Sequence, residues 1–199
     1  MRKLFVATGN RDKLREIRAI LGDSVEVVSL HDVPPYPEPA ETGETLLENA
    51  LIKAREGYAR TGLPSLADDT GLEVEALGGA PGVFSARYAG ENASYQDNVR
   101  KLLEELGSRP LIERSATFRC VMALVDGERE VWWEGAAEGV ILSEPKGTSG
   151  FGYDPVFYSY ELKKSFAQAT AEEKNSVSHR GRALQSLVSE VQQLLSNIK

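Results

Sequence analysis

The chain has 199 residues, of which 41% are hydrophobic and 27% are charged, and its formal net charge is −7. This is an ordinary globular balance, and the acidic excess argues against a protein that binds nucleic acid, which would show a basic face. The apolar runs are far shorter than a membrane span, and one cysteine, Cys120, excludes an intrachain disulfide, so we expect a cytoplasmic protein with no membrane partner.

The first half of the chain alternates short apolar runs with segments of helical spacing. Asn10 is a plausible N-cap, and Thr45 with Glu48 forms a capping box before a strong helical stripe. In chain order we predict a strand at 3–7, a helix at 11–21, a strand at 24–30, a helix at 45–62 and a helix at 94–107.

The second half reads as a long hairpin followed by a glycine-rich loop and a helical tail. Residues 115–125 are predicted to form a strand with one apolar face made of Ala116, Phe118, Cys120, Met122 and Leu124, and Asp126-Gly127 is a hairpin signal before a partner strand at 129–142. The strand–helix units and the hairpin together predict an α/β fold with a mixed sheet. No clear linker interrupts the chain, so we expect one domain over residues 1–199.

The segment "SLADDTGLEV" carries two adjacent acids, Asp68 and Asp69, at the end of a predicted short buried strand. Adjacent side chains on an extended chain point to opposite faces, so the two acids are expected to have different roles. Thr70 and Gly71 are expected to turn the chain, and Asp68 could simply cap that turn. The acids are adjacent rather than two apart, which excludes the D-x-D pattern of haloacid-dehalogenase-type phosphatases.

The segment "ATGNRDK" places small residues between a strand and a helix N-terminus. Backbone N–H groups and the helix dipole favour a phosphate there, with Lys13 one turn into the helix. The spacing is not that of a Walker A loop. The alternative is an ordinary strand-to-helix turn with a surface lysine.

Two later segments combine features that suit a base or a phosphate. "GTSGFGYDP" places Phe151 and Tyr153 among glycines, where an aromatic ring could stack on a base or could plug the core. "KNSVSHRG" places Lys174, His179 and Arg180 around a helix start, where they could bind a phosphate or lie solvated. The chain has two histidines and one cysteine, so carboxylates acting with phosphates predict Mg²⁺ rather than zinc.

Taken together, these segments resemble the Ham1/RdgB family of inosine triphosphate pyrophosphatases. The resemblance runs along nearly the whole chain, through "TGNRDKLREI", "ETGETLLENALIKA", "ADDTGLEVEALGGAPGVFSARYAG", "GFGYDPVF" and "EEKNSVSHRGRAL". Thr70 stands where serine is usual and keeps the hydroxyl, whereas Ser149 stands where glycine is usual.

The resemblance implies hydrolysis of non-canonical purine nucleoside triphosphates such as ITP, dITP and XTP to the monophosphate and pyrophosphate, which cleanses the nucleotide pool. It also implies a homodimer and an elongated mixed sheet with two lobes flanking a cleft. The implied phosphate-binding residues are Thr8, Gly9, Asn10, Arg11, Asp12 and Lys13. The implied Mg²⁺ ligands are Glu41 and Asp69, and Asp69 is the implied general base. The rest of the implied substrate site consists of Thr70, Phe151, Gly152, Tyr153, Asp154, Lys174, His179 and Arg180, with Lys53 as a further phosphate contact.

Two alternatives use the same residues. One is a nucleotide-binding sensor without catalysis, against which the intact pair Glu41 and Asp69 argues. The other is a related pyrophosphatase that acts on modified pyrimidine nucleotides.

Overall fold

The computed structural model describes residues 3–37 and 39–197, which form eight strands and five α-helices. The strands are β1 (Lys3–Val6), β2 (Glu26–Ser29), β3 (Ser65–Val74), β4 (Pro81–Gly82), β5 (Ser115–Val125), β6 (Glu130–Ile141), β7 (Phe157–Ser159) and β8 (Lys164–Ser165). The helices are α1 (Arg11–Leu21), α2 (Leu46–Thr61), α3 (Tyr95–Leu106), α4 (Ala171–Val177) and α5 (His179–Asn197).

The strands form one mixed sheet in the order β2-β1-β3-β5-β6-β7-β8, with β4 paired to β3. Strand β1 pairs parallel to β2 and to β3, whereas β7 pairs antiparallel to β6 and to β8. The predicted α/β class with a mixed sheet flanked by helices is therefore confirmed. The elongated outline and the cleft implied by the resemblance stay predictions.

The chain folds into two compact units, each assembled from several segments. Unit 1 comprises Met1–Asp69, Cys120–Gly135 and Arg180–Lys199, and unit 2 comprises Thr70–Arg119 and Ala136–His179. The prediction of one domain over the whole chain stays a prediction.

In unit 1, strand β1 has helices against both of its faces. Leu4 and Val6 belong to an apolar cluster with side chains from α1 and α5. Phe5 faces α2, where a Cβ added to Gly57 would lie 2.9 Å from the Phe5 ring. The alternation of the strand therefore places α1 and α5 on one face and α2 on the other. Cys120 is buried in the same cluster as Leu4.

In unit 2, aromatic rings fill much of the core. Phe118 packs against Phe157 and Phe166, with ring centroids 4.7 and 6.1 Å apart. The alternating apolar residues of β5 supply Phe118 to this cluster and also supply Cys120 to the cluster of unit 1. The predicted apolar face of β5 is thus confirmed.

The predicted end of the third strand at the two acids is wrong. Strand β3 continues without a break through Asp68, Asp69, Thr70 and Gly71 to Val74. Leu72 and Val74 are fully buried, and their packing favours an extended chain although Thr70 and Gly71 are residues typical of turns. Asp68 therefore does not cap a turn.

Three helix starts are confirmed in detail. The side chains of Asn10, Thr45 and Ser94 accept hydrogen bonds from backbone N–H groups of α1, α2 and α3. Strands β7 and β8, of three and two residues, lie in a region that the sequence did not divide into elements. Within the described part of the chain, no helix is long and apolar enough to cross a membrane.

Candidate functional site

The turn between β1 and α1 is closed by its own side chains. Asn10 Oδ1 accepts from the backbone N–H groups of Asp12, at 2.9 Å, and Lys13, at 3.2 Å, and Asn10 N–H donates to Thr8 Oγ1. The cap thus satisfies two of the helix N–H groups that could otherwise meet a phosphate. The Asp12 carboxylate pairs with Arg15 at 2.9 Å, on the outer side of the helix.

Asp68 lies at the centre of a buried ion cluster in unit 1. Its Oδ2 is 2.9 Å from Lys13 Nζ on α1 and 3.1 Å from Arg180 Nη2 on α5. The Arg180 guanidinium also donates to Glu16, and its side chain is 2% exposed. A buried cation surrounded by two carboxylates is a strongly coupled arrangement in which loss of any member leaves an uncompensated charge.

Asp69 points to the opposite face of β3 and meets α2. Its Oδ1 accepts from Lys53 Nζ at 2.9 Å, and the same Nζ donates to Glu41 Oε1 at 2.8 Å. The other oxygen, Asp69 Oδ2, is buried and has no hydrogen-bond partner among residues 3–37 and 39–197. A buried carboxylate oxygen without a partner is an open position for a cation or a water proton.

The pKa values of the adjacent residues Asp68 and Asp69 are shifted in opposite directions. Burial by itself would raise the pKa of Asp68, but Lys13 and Arg180 hold that pKa well below its ordinary range. Burial raises the pKa of Asp69, although Lys53 acts in the opposite direction. Asp68 is therefore a fixed anion, whereas Asp69 has the proton affinity that suits an acceptor.

Glu41 is held near Asp69 by the loop that precedes α2. Gly43 N–H donates to the Oδ1 of buried Asn49 at 2.8 Å, and a Cβ on Gly43 would lie 2.7 Å from that same oxygen. Asn49 lies one helical turn before Lys53 on α2. The helix therefore positions both the cation and the loop that carries the second carboxylate.

The glycine-rich loop of unit 2 is organised around Asp154. Its Oδ2 accepts from the backbone N–H of Phe151 at 2.8 Å and from Lys174 Nζ. A Cβ on Gly150, whose φ is +74°, would lie 2.1 Å from that oxygen, so glycine is required there. Tyr153 is anchored by its hydroxyl, which donates to Ser85 O at 2.9 Å.

Aromatic rings of unit 2 lie against Lys174 and His179. Lys174 Nζ lies 4.7 Å from the centroid of the Phe151 ring. The His179 ring stacks on Phe118 with centroids 4.5 Å apart and an interplanar angle of 13°. Thr70, on β3, is half-buried. These rings have flat faces of the kind on which a base can stack.

The structure therefore collects the predicted residues into two sets. One set in unit 1 contains Thr8–Lys13, Glu41, Lys53, Asp69 and Arg180, and one set in unit 2 contains Thr70, Phe151–Asp154, Lys174 and His179. Their roles toward a ligand stay predictions.

Sequence reasoning missed Glu16 and Asn49. Glu16 is buried on α1 three residues after Lys13, and Asn49 is buried on α2 four residues before Lys53. A polar residue one turn from a candidate lysine was a signal for both.

The described residues contain no group of three or more His, Cys, Asp or Glu side chains placed to hold a metal. Glu41 and Asp69 are thus a pair of carboxylates joined by Lys53. A pair is sufficient for a hard cation that takes its remaining ligands from water and from a phosphate.

Comparisons with known proteins agree with one another. The profile of the Ham1 family matches residues 4–190. The dITP/XTP pyrophosphatase of Geobacter sulfurreducens is 54% identical over 186 residues, which cover 92% of this chain and 94% of that protein. The dITP/XTP pyrophosphatase of Corynebacterium efficiens is 50% identical and covers 96% of this chain and 98% of that protein. The solved structure of a HAM1 protein from Coxiella burnetii superposes with a TM-score of 0.85 at 42% identity, covering 97% of this chain and all of that one.

Proposed function

We propose that this chain, which belongs to the Ham1 family, is a nucleoside triphosphate pyrophosphohydrolase for non-canonical purine nucleotides. Two relatives at 50% identity or more are named dITP/XTP pyrophosphatases, and each covers more than nine-tenths of both chains. The observation that carries the proposal is the Glu41–Lys53–Asp69 cluster, in which Asp69 keeps one buried oxygen without a partner among the described residues. The proposed substrates are dITP, ITP and XTP.

In the proposed reaction, water adds across the anhydride bond between the α- and β-phosphates, which breaks to give monophosphate and pyrophosphate. The Asp69 carboxylate takes a proton from the attacking water, since its raised pKa makes it a better acceptor than an ordinary aspartate. Lys53 holds the Asp69 carboxylate in place through Oδ1 and leaves Oδ2 for this contact. Lys13, held by Asp68, lies in the segment predicted to bind the phosphates.

Mg²⁺ is the proposed cofactor, with Glu41 and Asp69 as its protein ligands. Glu41 and Asp69 offer only carboxylate oxygens, the donor type that a hard cation prefers, and Lys53 holds the two carboxylates side by side. When bound, the ion would supply positive charge to the phosphates of the substrate and lower the pKa of water.

The residues of unit 2 are proposed to bind the base. Phe151 supplies a stacking surface with Lys174 beside it, and His179, whose ring stacks on Phe118, supplies a further polar group. A donor aimed at a purine 6-oxo group would discriminate against the 6-amino group of adenine, because that donor would be left buried and unpaired.

Homodimerisation is also proposed, because the family resemblance implies it, and a cytoplasmic location is proposed from the short apolar runs and the single cysteine. Light scattering on the purified chain tests the first, and fractionation of cells that express it tests the second.

The reaction is tested by its first product. The wild-type protein with Mg²⁺ should release pyrophosphate from dITP, ITP and XTP, detected by ³¹P NMR, and chelation of the metal should stop the reaction. Orthophosphate as the first product would overturn the proposal. Binding without turnover would indicate a sensor, and preference for a modified pyrimidine triphosphate in the same panel would indicate the other alternative.

The pH dependence should report the raised pKa of Asp69. The acid limb of kcat/KM, which reflects the free enzyme, should lie above the value near 3.9 of an ordinary aspartate. Lys53 opposes the raised pKa, so Lys53→Met should move this limb to higher pH even as the rate falls. If the acid limb of the pH profile came from ionisation of the substrate, its position would be the same in Lys53→Met and in the wild-type protein. The position of the limb in Lys53→Met therefore distinguishes ionisation of Asp69 from ionisation of the substrate.

A further inference from the structure

The orientation of the Phe151 ring is not fixed by its own backbone. Phe151 is flanked by Gly150 and Gly152, whose φ values are +74° and +61°. The Phe151 N–H donates to Asp154 Oδ2 at 2.8 Å, which holds the backbone but does not select the rotamer of the Phe151 side chain. A ring that stacks on a base binds more tightly when it is held in place before the ligand arrives.

Tyr95 provides a rigid neighbour for that ring. It is the first residue of α3, directly after the N-cap Ser94, which exchanges hydrogen bonds with Asp97 in a capping box. The centroids of the Tyr95 and Phe151 rings are 5.9 Å apart with an interplanar angle of 44°, within the range of attractive aromatic pairs. The capped helix end thus presents a fixed aromatic surface to the glycine-rich loop.

A cavity lies beside the rings of Tyr95 and Phe151, so the Phe151 ring has space to turn if the Tyr95 ring is removed. A space of about 600 Å³ lies between α3 and the glycine-rich loop, and both Tyr95 and Phe151 line it. Its other apolar walls are Val99, Leu103, Pro145 and Pro155. Truncation of Tyr95 would enlarge this space and allow the Phe151 ring to turn into it.

We propose that Tyr95 is a positioning residue for nucleotide binding, because its ring holds Phe151 in the orientation that receives the base. This inference rests on the proposed function. Tyr95 is 41% exposed and starts a helix whose cap is made by Ser94 and Asp97, so its side chain can be changed without removing the cap. The aromatic ring of Tyr95, rather than its hydroxyl group, is expected to position Phe151, because the contact between the two residues joins their rings.

The test compares Tyr95→Ala with Tyr95→Phe, using dITP and Mg²⁺. Tyr95→Ala should raise KM by about three- to tenfold with kcat nearly unchanged, because loss of the aromatic pair weakens binding equally in the ground and transition states. Tyr95→Phe should restore the wild-type KM. Tyr160→Ala, which truncates another half-exposed tyrosine ring in unit 2, is the matched control and should leave both parameters unchanged.

Each other outcome has a definite reading. An unchanged KM in Tyr95→Ala, or a fall in kcat at constant KM, would overturn the positioning role. A Tyr95→Phe variant that behaves like Tyr95→Ala would overturn the role of the ring. Failure of the wild-type protein to release pyrophosphate would overturn the proposed function itself, which is a separate measurement from the comparison of variants.

Discussion

Asp69→Asn should lower kcat for pyrophosphate release by about 10²- to 10⁴-fold, the range that a positioned general base contributes. The amide keeps the shape of the side chain but cannot accept the proton of the attacking water. Lys53 retains its hydrogen bond to Glu41 in this variant. Product formation from dITP, measured at saturating substrate, gives the change in kcat directly.

The same variant should be stable. Burial raises the pKa of Asp69, so its charge is held less favourably in the folded protein than in the unfolded chain. Removing that charge should therefore move Tm by no more than about 4 °C, the effect of about 1 kcal/mol in a chain of this length. A variant that keeps more than a tenth of the wild-type kcat would show that Asp69 is not the base.

The helix starts and the central hairpin could be predicted from the sequence because the signals are local. Asn10, Thr45 and Ser94 each cap a helix that begins at the next residue, and their partners lie two or three positions away. The alternation in residues 115–125 likewise reflects a strand with its own periodicity. Signals of this kind need no knowledge of the rest of the fold.

The partners of the two acids could be predicted only in part. The opposite orientation of Asp68 and Asp69 follows from the period of a strand. The pairing of Asp68 with Arg180 joins residues 112 positions apart, which no local pattern records. The continuation of β3 through Thr70 and Gly71 was missed for a related reason, since burial in the folded chain overrides local turn chemistry.

Asp68→Asn should mainly destabilise the protein. Asp68 compensates both Lys13 and Arg180, and removing one partner of a buried ion cluster costs about 3–5 kcal/mol. For a chain of this length that corresponds to a fall in Tm of roughly 10 °C. Differential scanning calorimetry at pH 7 measures it, and Asp69→Asn is the matched control, because it makes the same substitution one residue away on the other face of β3.

The effect of Asp68→Asn should also depend on pH with a definite sign. The folded-state pKa of Asp68 is lowered, so its stabilisation is complete above the unfolded value near 3.9 and is lost as pH falls through the folded value. The difference in Tm between wild type and Asp68→Asn should therefore be constant from pH 8 to about pH 5 and narrow below about pH 4. Asp69→Asn should show no such narrowing, because the pKa of Asp69 is shifted in the opposite direction. If Asp68→Asn proved stable but inactive while Asp69→Asn lost stability, the roles of the two faces of β3 would be reversed.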